Sequence, residues 1–182
     1  MRRAGRLEQW RHRRERERRD AEVVRAVRER TVPLYGLPGD WEGLRALSGW
    51  GYSKASGLTS VGLKHTIGGG AKAATIDVRT YWVVAGGIED VQDDVEHEFD
   101  LRDPAAEPTG LLEWMRMRIP VDGVSTDFRV IAGRSAQWGA AGEVGRVVVA
   151  VVVSNFAMAD VVLETVTDVD PYIAGWQELR KG

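Results

Sequence analysis

The sequence predicts an α+β fold in which an antiparallel β-hairpin and a longer β-meander carry a charged N-terminal helix and a short C-terminal helix. Three observations predict it. Residues 61–84 alternate apolar with small or polar residues on either side of a glycine run, and the dipeptide Asp122-Gly123 lies within a second alternating stretch. Residues 7–30 contain neither Gly nor Pro and are dense in Arg, Glu and Ala, which favour helix. With 182 residues and 43% hydrophobic content, the chain suffices for one substantial core and is too short for two ordinary domains. The expected organisation is a helical extension, residues 1–30, followed by a single domain, residues 31–182.

The extension holds 12 arginines against 6 acids, whereas the remainder holds 13 basic residues against 21 acids, so the two parts carry opposite charge. Glu8 over His12 and Glu15 over Arg19 are four-residue spacings that support a helix. Its apolar residues sit at the ends, with Leu7 and Trp10 at one and Ala21, Val23, Val24, Ala26 and Val27 at the other. Arg11 to Asp20 therefore has no stripe to bury, and the sequence assigns it to solvent or to a partner. The contact residues expected on this helix are Leu7, Trp10, Arg13, Arg14, Arg16, Arg18 and Arg19. A protein partner, or a second copy of the chain, fits them better than nucleic acid. Glu15, Glu17 and Asp20 interrupt the basic run, and no aromatic residue is interleaved for stacking on bases. A solvated helix is the plain alternative.

Residues 31–57 are rich in Gly, Pro and aromatic residues, which predicts a segment wrapped over the surface. A short helix is expected within it at Trp41 to Leu47, with Asp40 as its N-cap. Val61, Leu63, His65 and Ile67 form one arm of a hairpin, Gly68 to Gly70 its turn, and Ala74, Ile76, Val78, Thr80, Trp82 and Val84 the returning arm. Residues 86–110 follow as a long acidic connection, read as a loop.

Asp-Gly is a preferred pair for a two-residue type I′ turn. Folding about Asp122-Gly123 sets Val121 against Val124, Ile119 against Thr126, Met117 against Phe128 and Met115 against Val130, all on one face. On the other face Arg118 meets Asp127 and Trp114 meets Ile131. Pro120 then falls opposite Ser125 at a position whose missing N–H points outward, which marks an edge strand. Turns at Gly133 to Ser135 and Gly142 to Gly145 predict strands near residues 137–140 and 146–153. A short helix is expected around Ala159 to Val166, with a polar tail after Pro171.

The motifs that carry chemistry are incomplete. Gly68-Gly69-Gly70-Ala71-Lys72 suggests a phosphate loop, but Ala73 stands where the hydroxyl for magnesium is required. Gly51-Tyr52-Ser53-Lys54-Ala55 approaches a nucleophile elbow and ends on Ala. Asp93 and His97 would share a helix face near Asp90 and Asp94, without the glycine of a calcium loop. His65, inside an apolar alternation, reads as a structural histidine. No Cys is present, which excludes disulfides and thiolate chemistry. Neither a membrane-spanning apolar run nor a secretory leader is recognisable, so a cytoplasmic location is expected.

The sequence therefore points to a non-enzymatic interaction or accessory protein, with no catalytic, cofactor or metal residues assigned. A nucleic-acid accessory protein using the N-terminal arginines is the first alternative. An enzyme or small-ligand binder with a cleft near His65 is the second, and a deep polar pocket beside His65 would favour it.

Overall fold

The computed structural model describes Arg14, Glu17, Arg18 and residues 20–39, 41–52, 59–70, 73–82, 87–102, 113–133 and 136–180. The chain divides into two compact units, Met1–Thr31 and Val32–Gly182.

In the first unit, residues 20–28 form a helix, α1, and Arg14, Glu17 and Arg18 are helical as well. Arg18 Nε pairs with Glu22 Oε1 at 3.2 Å across one turn, with both side chains exposed. The Arg30 guanidinium donates to the Val27 carbonyl at 3.0 Å, placing a cation at the helix C-terminus, where the macrodipole favours it.

The second unit is built on a seven-stranded antiparallel sheet. Its strands are β2 (Leu44–Tyr52), β3 (Thr59–Ile67), β4 (Ala74–Trp82), β5 (Met115–Val121), β6 (Val124–Ala132), β7 (Gln137–Val144) and β8 (Val147–Ser154). They lie in the order β2-β3-β4-β8-β7-β6-β5. The expected hairpin β3–β4 forms, with Leu63 opposite Val78 and His65 opposite Ile76. The hairpin β5–β6 turns on Asp122-Gly123, at φ 49° and 75°, and pairs Met117 with Phe128 and Pro120 with Ser125 as expected. β8 is buried along Val147–Val153 because it is the central strand on which the two halves meet, pairing with β4 on one side and β7 on the other.

One face of the sheet presents Ile76, Val78, Phe128, Val130 and the odd-numbered valines of β8. It is covered by a second, two-stranded sheet of β1 (Tyr35–Gly36) and β9 (Glu164–Thr165), with Leu37, Met158, Val161 and Leu163 around it. The Asp122 carboxylate ties β9 down, accepting from Thr165 N and Thr165 Oγ1, both at 2.7 Å. The other face presents Tyr81, Ile131, Val148, Ala150 and Val152 to a helix, α2 (Ile88–Arg102), through Val91 and Val95. A final helix, α3 (Asp170–Leu179), packs on β2.

Four expectations require correction. The acidic connection is not a loop over 88–102 but the helix α2, whose Ile88, Val91 and Val95 supply a buried stripe at helical spacing. Leu44 to Leu47 begin strand β2 instead of closing a helix, because pairing with β3 satisfies their backbone. The C-terminal helix lies at Asp170–Leu179, not at Ala159 to Val166, where a 3-10 turn (Met158–Asp160) and β9 are found. Gly142 is not a turn residue. It lies within β7 beneath the Phe128 ring, and a Cβ there would meet ring carbons at 2.7 Å.

Candidate functional site

Of the expected partner-binding residues, Arg14 and Arg18 are exposed on helical backbone, while Leu7, Trp10, Arg13, Arg16 and Arg19 lie outside the described residues. The Gly68 turn closes the β3–β4 hairpin, and Lys72 and Ser53 to Ala55 also fall outside them. Three side-chain groups on the second unit remain as candidates.

The first surrounds His65, which β3 places on the covered face with 2% of its surface exposed. Its Nε2 accepts the Leu37 backbone N–H at 3.3 Å and lies 3.2 Å from the Tyr172 hydroxyl. A backbone N–H can only donate, so Nε2 carries no proton and the ring is the neutral Nδ1–H form. Burial, followed by the positive charge of Arg45, lowers its pKa to about 4, against a weaker opposing pull from Asp77. Beyond Tyr172 opens a cavity of about 310 Å³ lined by Arg45, Glu164, Thr165, Thr167, Asp168 and Tyr172 among others. His65 does not line it. Several of these polar groups have internal duties. Arg45 donates to the carbonyls of Gly39 and Trp41, and Asp168 accepts the Asp170 N–H at the start of α3.

The second is a charged chain on the opposite face. Ser48 Oγ donates to Asp77 Oδ1 at 2.5 Å, Arg79 donates to Asp77 Oδ2 at 2.9 Å, and Arg79 reaches Glu98 of α2 at 2.6 Å. Burial disfavours the guanidinium charge, but Asp77, Glu98 and Tyr81 together more than offset that and raise its pKa. Tyr81, pushed up to about 12 chiefly by burial, donates to Asp94 at 3.3 Å. Trp114 Nε1 donates to Glu96 at 2.6 Å, and Arg129 to Gln92 at 3.3 Å. Three of the acids that marked this segment, Asp94, Glu96 and Glu98, thus fasten α2 to the sheet and to Trp114. Among the described residues no group of three or more His, Asp or Glu side chains is placed to hold a metal ion.

The third is an apolar groove of about 320 Å³ at the β5 end of the sheet. Its walls are Met115, Met117, Val130 and Trp138 from β5, β6 and β7, with Ala157, Met158 and Ala159 from the segment after β8, and Arg116 also borders it. The hairpin register puts Met115 and Met117 on the covered face, as expected, but the cover stops short of Met115, which is 51% exposed. Methionine side chains are flexible and polarisable, and such surfaces accommodate partners of varied shape. Sequence reasoning found the β5–β6 register but not this groove, because its walls come from segments far apart in the chain. Among the described residues, no helix is long and apolar enough to cross a membrane. No family model, curated protein or solved structure matches the chain.

Proposed function

We propose that this is a non-enzymatic, cytoplasmic interaction protein that binds another protein through the groove beside β5 and through its N-terminal helix. The observation that carries the reading is the groove walled by Met115, Met117, Trp138 and Met158, whose inner wall belongs to the core and whose open end is Met115, 51% exposed. The charged groups support it from the other side, since His65 and Arg79 are engaged in holding elements together. In the helix, Leu7 and Trp10 offer apolar anchors and the arginines offer charge, for a partner or for a second copy of the chain.

The test is affinity capture with the full-length protein and with the Met115→Glu and Trp10→Ala variants, each with and without nuclease. The expected result is a nuclease-resistant partner lost with Met115→Glu, lost or weakened with Trp10→Ala, and unrelated to thermal stability. Capture that survives both variants would sink the proposal, and capture lost on nuclease treatment would replace it with nucleic-acid binding.

A second reading, a small-ligand binder, is favoured by the polar cavity lined by Arg45, Tyr172, Thr165 and Thr167. A thermal-shift screen of small carboxylates and phosphates tests it. A hit that Tyr172→Phe abolishes would support this reading over the first.

A further inference from the structure

β5 is the last strand of the sheet, and its register shows which backbone groups face outward. Val121 and Val124 flank a two-residue turn and so form a hydrogen-bonded pair; such pairs recur at Ile119/Thr126, Met117/Phe128 and Met115/Val130. The backbone groups of Pro120, Arg118 and Arg116 therefore point away from β6. The Pro120 carbonyl accepts Leu163 N–H at 2.9 Å, and Asp122 N–H donates to the Leu163 carbonyl at 2.9 Å, so this end of the edge is occupied. At Arg116 and Arg118 the outward N–H and C=O groups meet no partner among the described residues.

We infer that this edge accepts an extended segment of a partner protein as an eighth strand, and that the segment alternates apolar with acidic residues. The inference rests on the protein-binding reading above and specifies its partner. Side chains of an added strand fall alternately on the two faces. On one face they meet the groove of Met115, Met117, Trp138 and Met158. On the other they meet Arg116 and Arg118, both exposed, of which Arg118 is already paired with Asp127 at 3.3 Å. Arg116 sits directly opposite Arg129, a like-charge pair that disfavours the bare edge. An acidic residue beside Arg116 relieves it, which selects carboxylates on this face. The same arginines argue against a second copy of the chain at this edge. Antiparallel β5–β5 pairing centred on Met117 would set Arg116 against Arg118 twice, and the one acid beside them, Asp127, is already paired with Arg118 at 3.3 Å, leaving Arg116 uncompensated.

The test uses full-length protein and a blocked peptide of about eight residues alternating Val and Glu. The controls are the Val/Lys peptide and a Val/Glu peptide N-methylated on the residues of one edge. Calorimetry and amide hydrogen exchange read the outcome. The Val/Glu peptide is expected to bind at least about tenfold more tightly than the Val/Lys peptide, and exposed-site Arg116→Glu should reverse that order. Exchange at the Arg116 and Arg118 amides should slow in the complex, and N-methylation should abolish binding. Absence of saturation up to about 1 mM Val/Glu peptide, or equal binding by the N-methylated peptide, overturns the inference. If that happens while Met115→Glu still abolishes partner capture, the protein-binding reading stands and only the added strand falls. If Met115→Glu and Trp10→Ala also leave capture unchanged, both fall.

Discussion

The Tyr172 hydroxyl and the Leu37 backbone N–H converge on one atom, Nε2 of His65, so β3, the segment leading from β1 and helix α3 meet at a single unprotonated nitrogen. The ring has a pKa near 4 in the folded chain and about 6.5 when unfolded. The unfolded state therefore binds the extra proton between those values, and stability is lost as pH falls from about 6.5 towards 4, by up to about 3 kcal/mol. Urea unfolding of the wild type and of His65→Gln across this range checks it. The variant should be less stable at pH 7 and should lack this component of the pH dependence, so that the difference between the two shrinks in acid. Loss of a catalytic turnover in the variant, at unchanged stability, would contradict a structural role.

Gly123 and Gly142 are both required, for different reasons. Gly123 has φ 75° and open space around it, so Gly123→Val should cost roughly 1–2 kcal/mol from backbone strain alone. Gly142 is not held at positive φ, but Gly142→Ala drives a methyl into the Phe128 ring and should cost roughly 1–3 kcal/mol from overpacking. Pairing each change with Phe128→Leu distinguishes them: the leucine should relieve the Gly142→Ala penalty and leave that of Gly123→Val unchanged.

Asp122 has two roles that one substitution can separate. Asn-Gly forms the same turn as Asp-Gly, so Asp122→Asn should preserve the β5–β6 register. The asparagine Oδ1 still accepts from Thr165 N–H, but its Nδ2 can only donate to the Thr165 hydroxyl, so two charge-assisted bonds become neutral ones and the hold on β9 weakens by about 1 kcal/mol. Hydrogen exchange should rise at Thr165 N–H and at the β1–β9 pairs while β5–β6 remains protected.

Removing Arg79 leaves Asp77 and Glu98 facing each other without a cation. Arg79→Met should destabilise the domain by about 3 kcal/mol, and the triple replacement Asp77→Leu, Arg79→Met, Glu98→Leu by much less. Equilibrium denaturation of both variants tests this. Equal losses would mean that the network contributes more than the avoidance of an unpaired charge.

The basic extension makes a separate prediction about salt. Binding of duplex DNA or RNA by the N-terminal arginines would fall steeply between low and moderate ionic strength, in proportion to the phosphates neutralised. With three acids interrupting the arginine run, the expected result is weak association that is lost at moderate salt. Tight binding with a steep slope that disappears on Arg13→Glu, Arg16→Glu and Arg19→Glu substitution would assign the helix to nucleic acid.

The elements most legible in the sequence are those whose pairing is local. Val61 to Ile67 and Met115 to Val130 carry strict alternation and turn residues that fold back on themselves; the first forms the expected hairpin, and the second matches its expected register from Met115/Val130 to Val121/Val124. α2 was hidden because its apolar stripe is narrow and the acids within and just after it, Asp94, Glu96 and Glu98, serve Tyr81, Trp114 and Arg79, none of them a neighbour in sequence. α3 was hidden by Gly175, which reads as a helix breaker. The structure places it where a Cβ would collide with the Arg45 carbonyl, so close packing on β2 demands the residue that obscures the helix. The groove was invisible for a third reason: exposure of Met115 depends on where the cover of the sheet ends, and no local pattern encodes that.

The central position of β8 has a consequence for how the chain reaches this state. The strands β2 to β4 and β5 to β8 can each assemble from neighbours, but the seam between them pairs Thr75 with Ser154 and Tyr81 with Val148, across α2 and two hairpins. Closing so long a loop is slow compared with forming either half. Until it closes, Val147–Val153, seven uncharged residues of high strand propensity, stands as an open apolar edge. Refolding should therefore partition between seam closure and self-association, with a yield that falls as protein concentration rises. Arg146, immediately before the valine run, is the nearest charge available to keep two such edges apart.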